Sequence, residues 1–192
     1  MPIFPLMVYE FLGKQPQFDD SCFIAPSADL IGDVTLGSET SIWFNTTLRG
    51  DVNWIEIGKR SNVQDNCCVH VTTQTAPTKI GNEVTIGHSA VIHGCTIQDT
   101  VLVGMQVLIM DNAVIESETI IGAGSLVPQG KVMPSGYLWL GRPAKPVREL
   151  TDEERKSLKT YSSNYVKYAR AYQQKDTYSE NPFYTSQKTD RG

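Results

Sequence analysis

The stretch IQDTVLVGMQVLIMDNAVIESETIIGAGSLV, residues 97–127, repeats a short pattern every six residues. Each repeat is centred on an aliphatic residue, and a small or β-branched residue precedes that centre by two positions. The centres are Ile97, Val103, Ile109, Ile115, Ile121 and Val127. A period of six is too short for a helical solenoid, a propeller blade or a leucine-rich coil, and it is typical of a parallel β-helix.

The same pattern extends towards the N-terminus, with changes of phase. The earlier centres are Ile24, Leu30, Leu36, Ile42 and Leu48, then Ile57, Val63 and Val69 after an offset of three, then Ile80, Ile86 and Ile92 after a longer break, and a step of five leads to Ile97. Each hexad predicts one short strand and one corner, and three hexads make one triangular coil. Because coils stack at the strand spacing of about 4.8 Å, the sequence predicts a mainly β fold, a single-stranded parallel β-helix over residues 21–140.

The rest of the chain does not follow this repeat. We predict an N-terminal arm (1–20), a turn or linker (141–150), a C-terminal α-helix (151–175) and a flexible tail (176–192). Thr151 and Glu154 have the spacing of a capping box at the start of that helix. Its apolar residues recur at helical spacing and predict one packed stripe, formed by Leu158, Tyr161, Tyr165, Tyr168 and Tyr172.

Composition narrows the classes of partner. The chain has 192 residues and a formal net charge of −4, which favours one main domain and gives no sign of a nucleic-acid partner. No apolar run approaches the roughly 18 residues of a membrane helix. The N-terminus MPIFPLMVYE lacks a signal-peptide pattern, so we expect a cytoplasmic protein with no membrane partner. Four cysteines in this length do not indicate a disulfide framework.

The three histidines of the chain all fall within residues 70–93. Arg49, His70 and His93 each directly follow a repeat centre on the same face of the prism, so their side chains point outward in one column. His88 follows its centre by two and lies on a different face. It reaches the pair formed by His70 and His93 only in a neighbouring chain, if prisms pack around a threefold axis. The phase therefore predicts three-histidine sites shared between chains of a homotrimer.

Three imidazoles with an open fourth position are the ligand set of catalytic zinc sites. Neutral imidazole also suits Fe²⁺ and Co²⁺ better than it suits magnesium or calcium. A lone surface histidine is usually a solvated side chain, which is the ordinary alternative. The clustering of all three histidines favours the metal site.

Several segments resemble the γ-carbonic anhydrase family, and most closely its bacterial branch. They are LRGDVNWIEIG (48–58), SNVQDNCCVH (61–70), IGHSAVIHGCTI (86–97), LVGMQ (102–106) and GRPAKPVRELTDEE (141–154). The resemblance covers roughly residues 20–170. It implies a left-handed β-helix trimer with zinc, or iron in some settings, held by His70, His88 and His93. It also implies that metal-bound hydroxide attacks CO2 to give bicarbonate.

The resemblance gives roles to further residues. Arg49 and Asp51 match a pair that bridges subunits near the metal, and an ordinary interface ion pair is an equally good interpretation of Arg49. Gln64 matches the residue that hydrogen-bonds the metal-bound water, with Asn62 orienting it, although a corner amide that caps a turn is the alternative. Asp65 falls in the column of His88, where it orients that ring or accepts a proton.

Other positions are weaker candidates or depart from the family. Tyr165 and Asn164 match a region that approaches the active site in relatives. The loop 71–79 contains no acid, and Val52 replaces a glutamate, so the usual proton carriers are missing and fast turnover is in question. Cys68 should face outward, whereas the other cysteines read as packing residues.

Two other functions remain open. Many hexapeptide β-helices transfer acetyl groups from coenzyme A, and a GxPAK-like turn occurs among them. Those enzymes use a histidine as general base, and the clustering of every histidine here argues against that use. A non-catalytic metal-binding scaffold trimer is the third possibility, and it predicts bound metal without CO2 hydration.

Overall fold

The computed structural model of this chain describes residues 7–174 and 182–183. This part consists of short strands followed by one helix. The elements are β1 (Met7–Tyr9), β2 (Phe23–Ile24), β3 (Asp29–Leu36), β4 (Ser41–Ile42), β5 (Thr47–Ile57), β6 (Asn62–Val63), β7 (Cys68–His70), β8 (Thr78–Ile80), β9 (Thr85–Ile86), β10 (Val91–His93), β11 (Thr96–Ile97), β12 (Leu102–Val103), β13 (Leu108–Ile109), β14 (Val114–Ile115), β15 (Ile120–Ile121), β16 (Leu126–Val127), β17 (Val132–Met133), β18 (Tyr137–Gly141), β19 (Ala144–Glu149) and α1 (Asp152–Tyr172).

The strands stack in parallel into the three faces of a triangular prism. The first face runs β2-β4-β6-β9-β12-β15-β18, the second runs from β5 through β7, β10 and β13 to β16, and the third runs from β5 through β8, β11 and β14 to β17. β5 serves two faces because it continues through a corner, as does β3 beside it. The predicted left-handed parallel β-helix with a C-terminal helix is confirmed.

The predicted centres form the core of the prism. From Leu30 to Val127 each of them is buried, and successive coils align them in parallel register, as with Val69, Ile92 and Ile109. Ile24 is only half-buried, because it lies in the first coil near the open end of the prism, where Phe23 is buried instead. Full burial of each large aliphatic side chain is worth about 1.5–3 kcal/mol, so this column is the main source of stability.

The segments outside the repeat differ from the prediction in two places. Residues 141–150 are not a simple turn, because β19 pairs antiparallel with β18. This hairpin adds one strand to the first face. It lies beyond the end of the six-residue repeat, so the periodicity of the sequence did not predict β19. The N-terminal arm contains β1, which pairs with β3. Apart from residues 182–183, the predicted tail over 176–192 lies outside the described residues.

Helix α1 packs against the first face near β4 and β9. Thr151 is its N-cap, and the predicted capping box is present, since Glu154 N donates to Thr151 Oγ1 at 3.2 Å and Thr151 N donates to Glu154 Oε2 at 2.9 Å. Within the described residues, no helix is both long and apolar enough to span a bilayer.

The predicted tyrosine stripe of α1 is only partly correct. Tyr161 and Tyr172 are exposed, and the buried line of the helix is Leu158, Ser162, Val166 and Ala169. The small Ser162 allows close contact with the prism, where its Oγ donates to the Arg60 carbonyl at 2.7 Å. The larger tyrosines therefore flank the contact line.

Candidate metal centre

The irregularities of the six-residue repeat all lie at one corner of the prism, between the second and third faces. The offset of three is an insertion within β5, where the register with β3 slips between Gly32 and Val34. The longer break is the loop from β7 to β8, and the step of five is the short connection from β10 to β11. We call this the irregular corner. It is the corner that follows the strand ends at His70 and His93.

His70 and His93 are direct neighbours in adjacent coils, as the phase predicted. His70 Nδ1 lies 3.1 Å from His93 Nε2, and the two rings are 5.1 Å apart between centroids. Both rings are partly shielded, with side-chain exposures of 17% and 34%. The two facing nitrogens are therefore close enough to bind the same small cation.

A carboxylate holds the other nitrogen of each ring. Asp51 Oδ1 lies 3.1 Å from His70 Nε2, and Asp111 Oδ1 lies 2.5 Å from His93 Nδ1. Since an ionised carboxylate only accepts hydrogen bonds, the outer nitrogen of each ring carries a proton. A ring in its neutral form then keeps its lone pair on the inner nitrogen. Zn–N bonds of about 2.0–2.1 Å in a tetrahedral site place two ligand nitrogens about 3.3 Å apart. The observed pair fits such an ion.

At Asp51, Asp111 and His70, the surroundings favour the ionisation states that metal binding needs. Partial burial alone would raise the pKa of Asp51, but the hydrogen bonds from Arg49 and His70 outweigh it and lower that pKa. Burial would also raise the pKa of Asp111, but the hydrogen bonds from His93 and Thr72 outweigh it, so the pKa of Asp111 is lowered. Burial lowers the pKa of His70 and so favours its neutral form. Neutral imidazole is the form that ligates metals.

His88 lies at a different corner, after β9 on the first face, as predicted. Its Nδ1 is 2.9 Å from Asp65 Oδ2, which leaves Nε2 free of that contact, and its side chain is 40% exposed. Within one chain, over the described residues, no three His, Cys, Asp or Glu side chains are placed to share one ion. The structure thus brings His70 and His93 together and keeps His88 apart from them.

Asn62 begins β6, Gln64 directly follows that strand, and both side chains are buried. Gln64 Nε2 donates to Asn62 Oδ1 at 3.2 Å, and Asn62 Nδ2 donates to Thr85 Oγ1 at 3.0 Å. This chain of amides fixes the Gln64 side chain one coil below His88. Its part in catalysis stays a prediction.

Tyr165 faces Asp65 from helix α1. The two side chains line a cavity of about 260 Å³ together with Trp43, Phe44, Tyr168 and Tyr172. Burial, and then the charge of Asp65, raises the pKa of Tyr165 to about 12, so its hydroxyl stays protonated at neutral pH. Asn164 is half-buried on the same helix.

Arg49 and Cys68 lie at the surface beside the cluster. The Arg49 guanidinium donates a hydrogen bond to Asp51 Oδ2, while the other oxygen, Oδ1, contacts His70. Cys68 is exposed, and Cys22, Cys67 and Cys95 are buried, in agreement with their predicted directions.

Comparison with known proteins identifies the family. No family model matches the chain. The chain is 45% identical over 174 residues to a carbonic anhydrase of Geobacillus kaustophilus, covering 89% of this chain and 95% of that protein. It is 47% identical over 164 residues to the mitochondrial γ-carbonic anhydrase 2 of Arabidopsis thaliana, covering 83% of this chain. The chain belongs to the γ-carbonic anhydrase family.

Two further comparisons qualify that result. The chain spans only 59% of the length of the Arabidopsis γ-carbonic anhydrase. A solved structure of a hexapeptide transferase family protein from Anaplasma phagocytophilum superimposes with a TM-score of 0.83 at 44% identity, covering 86% of this chain and 98% of that one. The fold is thus shared with a protein described as a transferase.

Two residues that contact the histidine pair, Asp111 and Thr72, were not predicted from the sequence. Asp111 lies one coil beyond His93, and Thr72 Oγ1 donates to its Oδ2 at 2.9 Å. The phase breaks in the repeat could have indicated that the irregular corner is unusual, because each break changes the number of residues in that corner.

Proposed function

We propose that this protein is a metal-dependent enzyme that hydrates CO2 to bicarbonate at sites between the chains of a homotrimer. One observation carries the proposal: each histidine has one ring nitrogen on a carboxylate, in the pairs His70–Asp51, His88–Asp65 and His93–Asp111. Metal-ligating histidines almost always donate their second nitrogen in this way. Relatives named carbonic anhydrase support the reaction.

In the proposed site, His70 and His93 of one chain and His88 of a neighbouring chain hold zinc. Ferrous iron and cobalt suit the same donors. When bound, such an ion supplies the positive charge that lowers the pKa of a coordinated water towards about 7. Asp51, which holds His70 on one oxygen and Arg49 on the other, keeps that ring in its ligating tautomer.

Gln64 is the residue best suited to orient the attacking water. Its NH2 group is engaged by Asn62, so its carbonyl oxygen is the acceptor left for a reacting O–H group. Because Gln64 is buried and held by a chain of amides, it reaches this position with little loss of conformational freedom. The Gln64→Ala variant should therefore lose kcat by about ten- to a hundredfold while it keeps its metal.

The proton produced by hydration has no dedicated carrier in the neighbouring loop. The loop 71–79 has no acidic or histidine side chain, and Val52 is exposed. We therefore propose that the buffer carries the proton away, and that kcat rises with imidazole concentration. A kcat that is already maximal and independent of buffer would contradict this step.

Elemental analysis and stopped-flow CO2 hydration, run on the wild type and the His88→Ala variant, test the proposal. About one metal ion per chain, lost in the variant together with hydration, supports the enzyme. Metal that depends on His88 without hydration would favour the scaffold. Acetyl-coenzyme A turnover without metal would favour an acyltransferase, and the Anaplasma structure is described as a hexapeptide transferase family protein.

A further inference from the structure

Asp111 reaches the histidine pair from the coil above it. Its Oδ1 lies 2.5 Å from His93 Nδ1, and its Oδ2 accepts a hydrogen bond from Thr72 Oγ1 at 2.9 Å. Thr72 belongs to the loop after β7, His93 ends β10, and Asp111 follows β13. Three successive coils therefore meet at this one carboxylate, on the side of His93 away from His70.

Gly94 makes room for this contact. A Cβ atom at position 94 would collide with Asp111 Oδ1 and would lie 2.8 Å from Ala76 Cβ. Gly94 also has a φ of +55°, in the left-handed region that favours glycine. The short step in the repeat and the glycine at its centre together allow the carboxylate to lie against the His93 ring.

A second corner of the prism has an aspartate in the equivalent position but no histidine beside it. Asp99 lies above Gly81 as Asp111 lies above Gly94, and a Cβ at either glycine would collide with the Oδ1 of its aspartate. Asp99 accepts from Asn82 N at 2.7 Å and from Asn82 Nδ2 at 3.2 Å. Asp99 therefore ties one coil to the next through the Asn82 backbone, whereas Asp111 binds a ring nitrogen.

We propose that Asp111, held by Thr72, is a positioning residue that fixes the tautomer and the orientation of His93, so that His93 Nε2 presents its lone pair beside His70 Nδ1. The inference deepens the proposed function and rests on it for the identity of what binds there. A His93 ring that carried its proton on Nε2 would have no lone pair for a metal.

The first test is the tautomer of His93, read by long-range ¹H–¹⁵N NMR of the metal-free trimer with labelled histidine. The chain has only three histidines, which makes assignment by the His93→Ala variant direct. We expect His93 to be protonated on Nδ1 in the wild type and mainly on Nε2 in Asp111→Ala. An unchanged tautomer in the variant would overturn the proposal.

The second test is zinc affinity by chelator competition. Loss of such a partner typically weakens metal binding by about 10- to 100-fold, which we expect for Asp111→Ala. Asp111→Asn, which keeps an acceptor oxygen, should lie between Asp111→Ala and the wild type. Asp99→Ala is the matched control, and it should lower the unfolding temperature without changing zinc affinity. Equal affinities in the two alanine variants would contradict the proposal.

Thr72→Val keeps the test valid if Asp111→Ala fails to fold. Valine preserves the shape of threonine but cannot donate to Asp111, and we expect zinc affinity to fall by about two- to tenfold, the effect of one hydrogen bond. Unchanged affinity would count against the role of Thr72. If the wild type binds no metal, the proposed function fails, while the tautomer measurement still decides the role of Asp111.

Discussion

The substitution His93→Ala removes one of the two nitrogens that face each other at 3.1 Å. Four-ligand zinc sites in small domains have apparent binding free energies of about 10–16 kcal/mol, or about 2.5–4 kcal/mol for each ligand. The two inner nitrogens already have a separation close to that of a tetrahedral ion, so little reorganisation energy offsets this loss. We therefore expect zinc affinity to fall by about 10²- to 10³-fold.

The fold should survive this substitution. The His93 side chain is 34% exposed, and its main contact is with Asp111, which keeps its hydrogen bond from Thr72. The metal-free variant should therefore lose no more than about 1.5–3 kcal/mol of stability, the worth of one hydrogen bond to a charged group. Chelator competition gives the affinity, and thermal unfolding with and without zinc gives an independent value through ligand-linked stabilisation. A variant that binds zinc as tightly as the wild type would show that His93 is not a zinc ligand.

Three further predictions concern the scaffold. Ile109→Ala, in the middle of the aliphatic core, should lower the free energy of unfolding in denaturant by about 2–5 kcal/mol. Ile109→Val should lower it much less, and equal losses would contradict tight packing of the prism. Thr151→Ala should cost about 1 kcal/mol through loss of the helix cap, Thr151→Ser should be nearly neutral, and no loss in the alanine variant would mean that α1 contributes little. Burial raises the pKa of Cys67 and of Cys95 to about 12, so at pH 8 only about one in 10⁴ of these thiols is ionised. In the native protein with both Cys22→Ser and Cys68→Ser, the remaining Cys67 and Cys95 should therefore not react with a thiol reagent at pH 8, and rapid labelling would show that the prism opens.

The sequence was sufficient to predict the prism and the pairing of His70 with His93. Both follow from a strict period, because each inward centre fixes the direction of the next side chain and each coil fixes the register of the coil above it. The same count placed Asp65 in the column of His88, where the structure has the two side chains in contact.

The remainder of the cluster depends on departures from the period. Asp111 contacts His93, which lies 18 residues earlier in the sequence. That contact depends on the absence of a side chain at Gly94 and on the loop that carries Thr72. Nothing in the local sequence of Asp111 distinguishes it from Asp99, which ties backbone instead. The hairpin of β18 with β19 was missed for a related reason, since it begins where the repeat stops.

The apolar stripe of α1 was misplaced because residue spacing alone does not determine which residues of the helix lie on the line of contact with the prism. Long side chains on either side of the contact line can lie over it, while a small residue sits on the line itself. Ser162 is that residue in α1, and its hydrogen bond to the Arg60 carbonyl shows how closely the helix approaches the prism.

Each proposed metal site takes His70 and His93 from one chain and His88 from the next. Mixing two variants, His88→Ala and His93→Ala, tests this division, because neither variant can form a complete site alone. In a closed ring of three, every trimer that contains both variants has one interface with all three histidines.

Random mixing in equal amounts puts both variants in about three quarters of the trimers, each with one complete site out of three. Co-refolded protein should then bind about one quarter of the wild-type zinc, with CO2 hydration recovered to the same fraction, while each variant refolded alone binds none tightly. If the mixture binds no more zinc than the separate variants, the site is not divided between chains and the account is wrong.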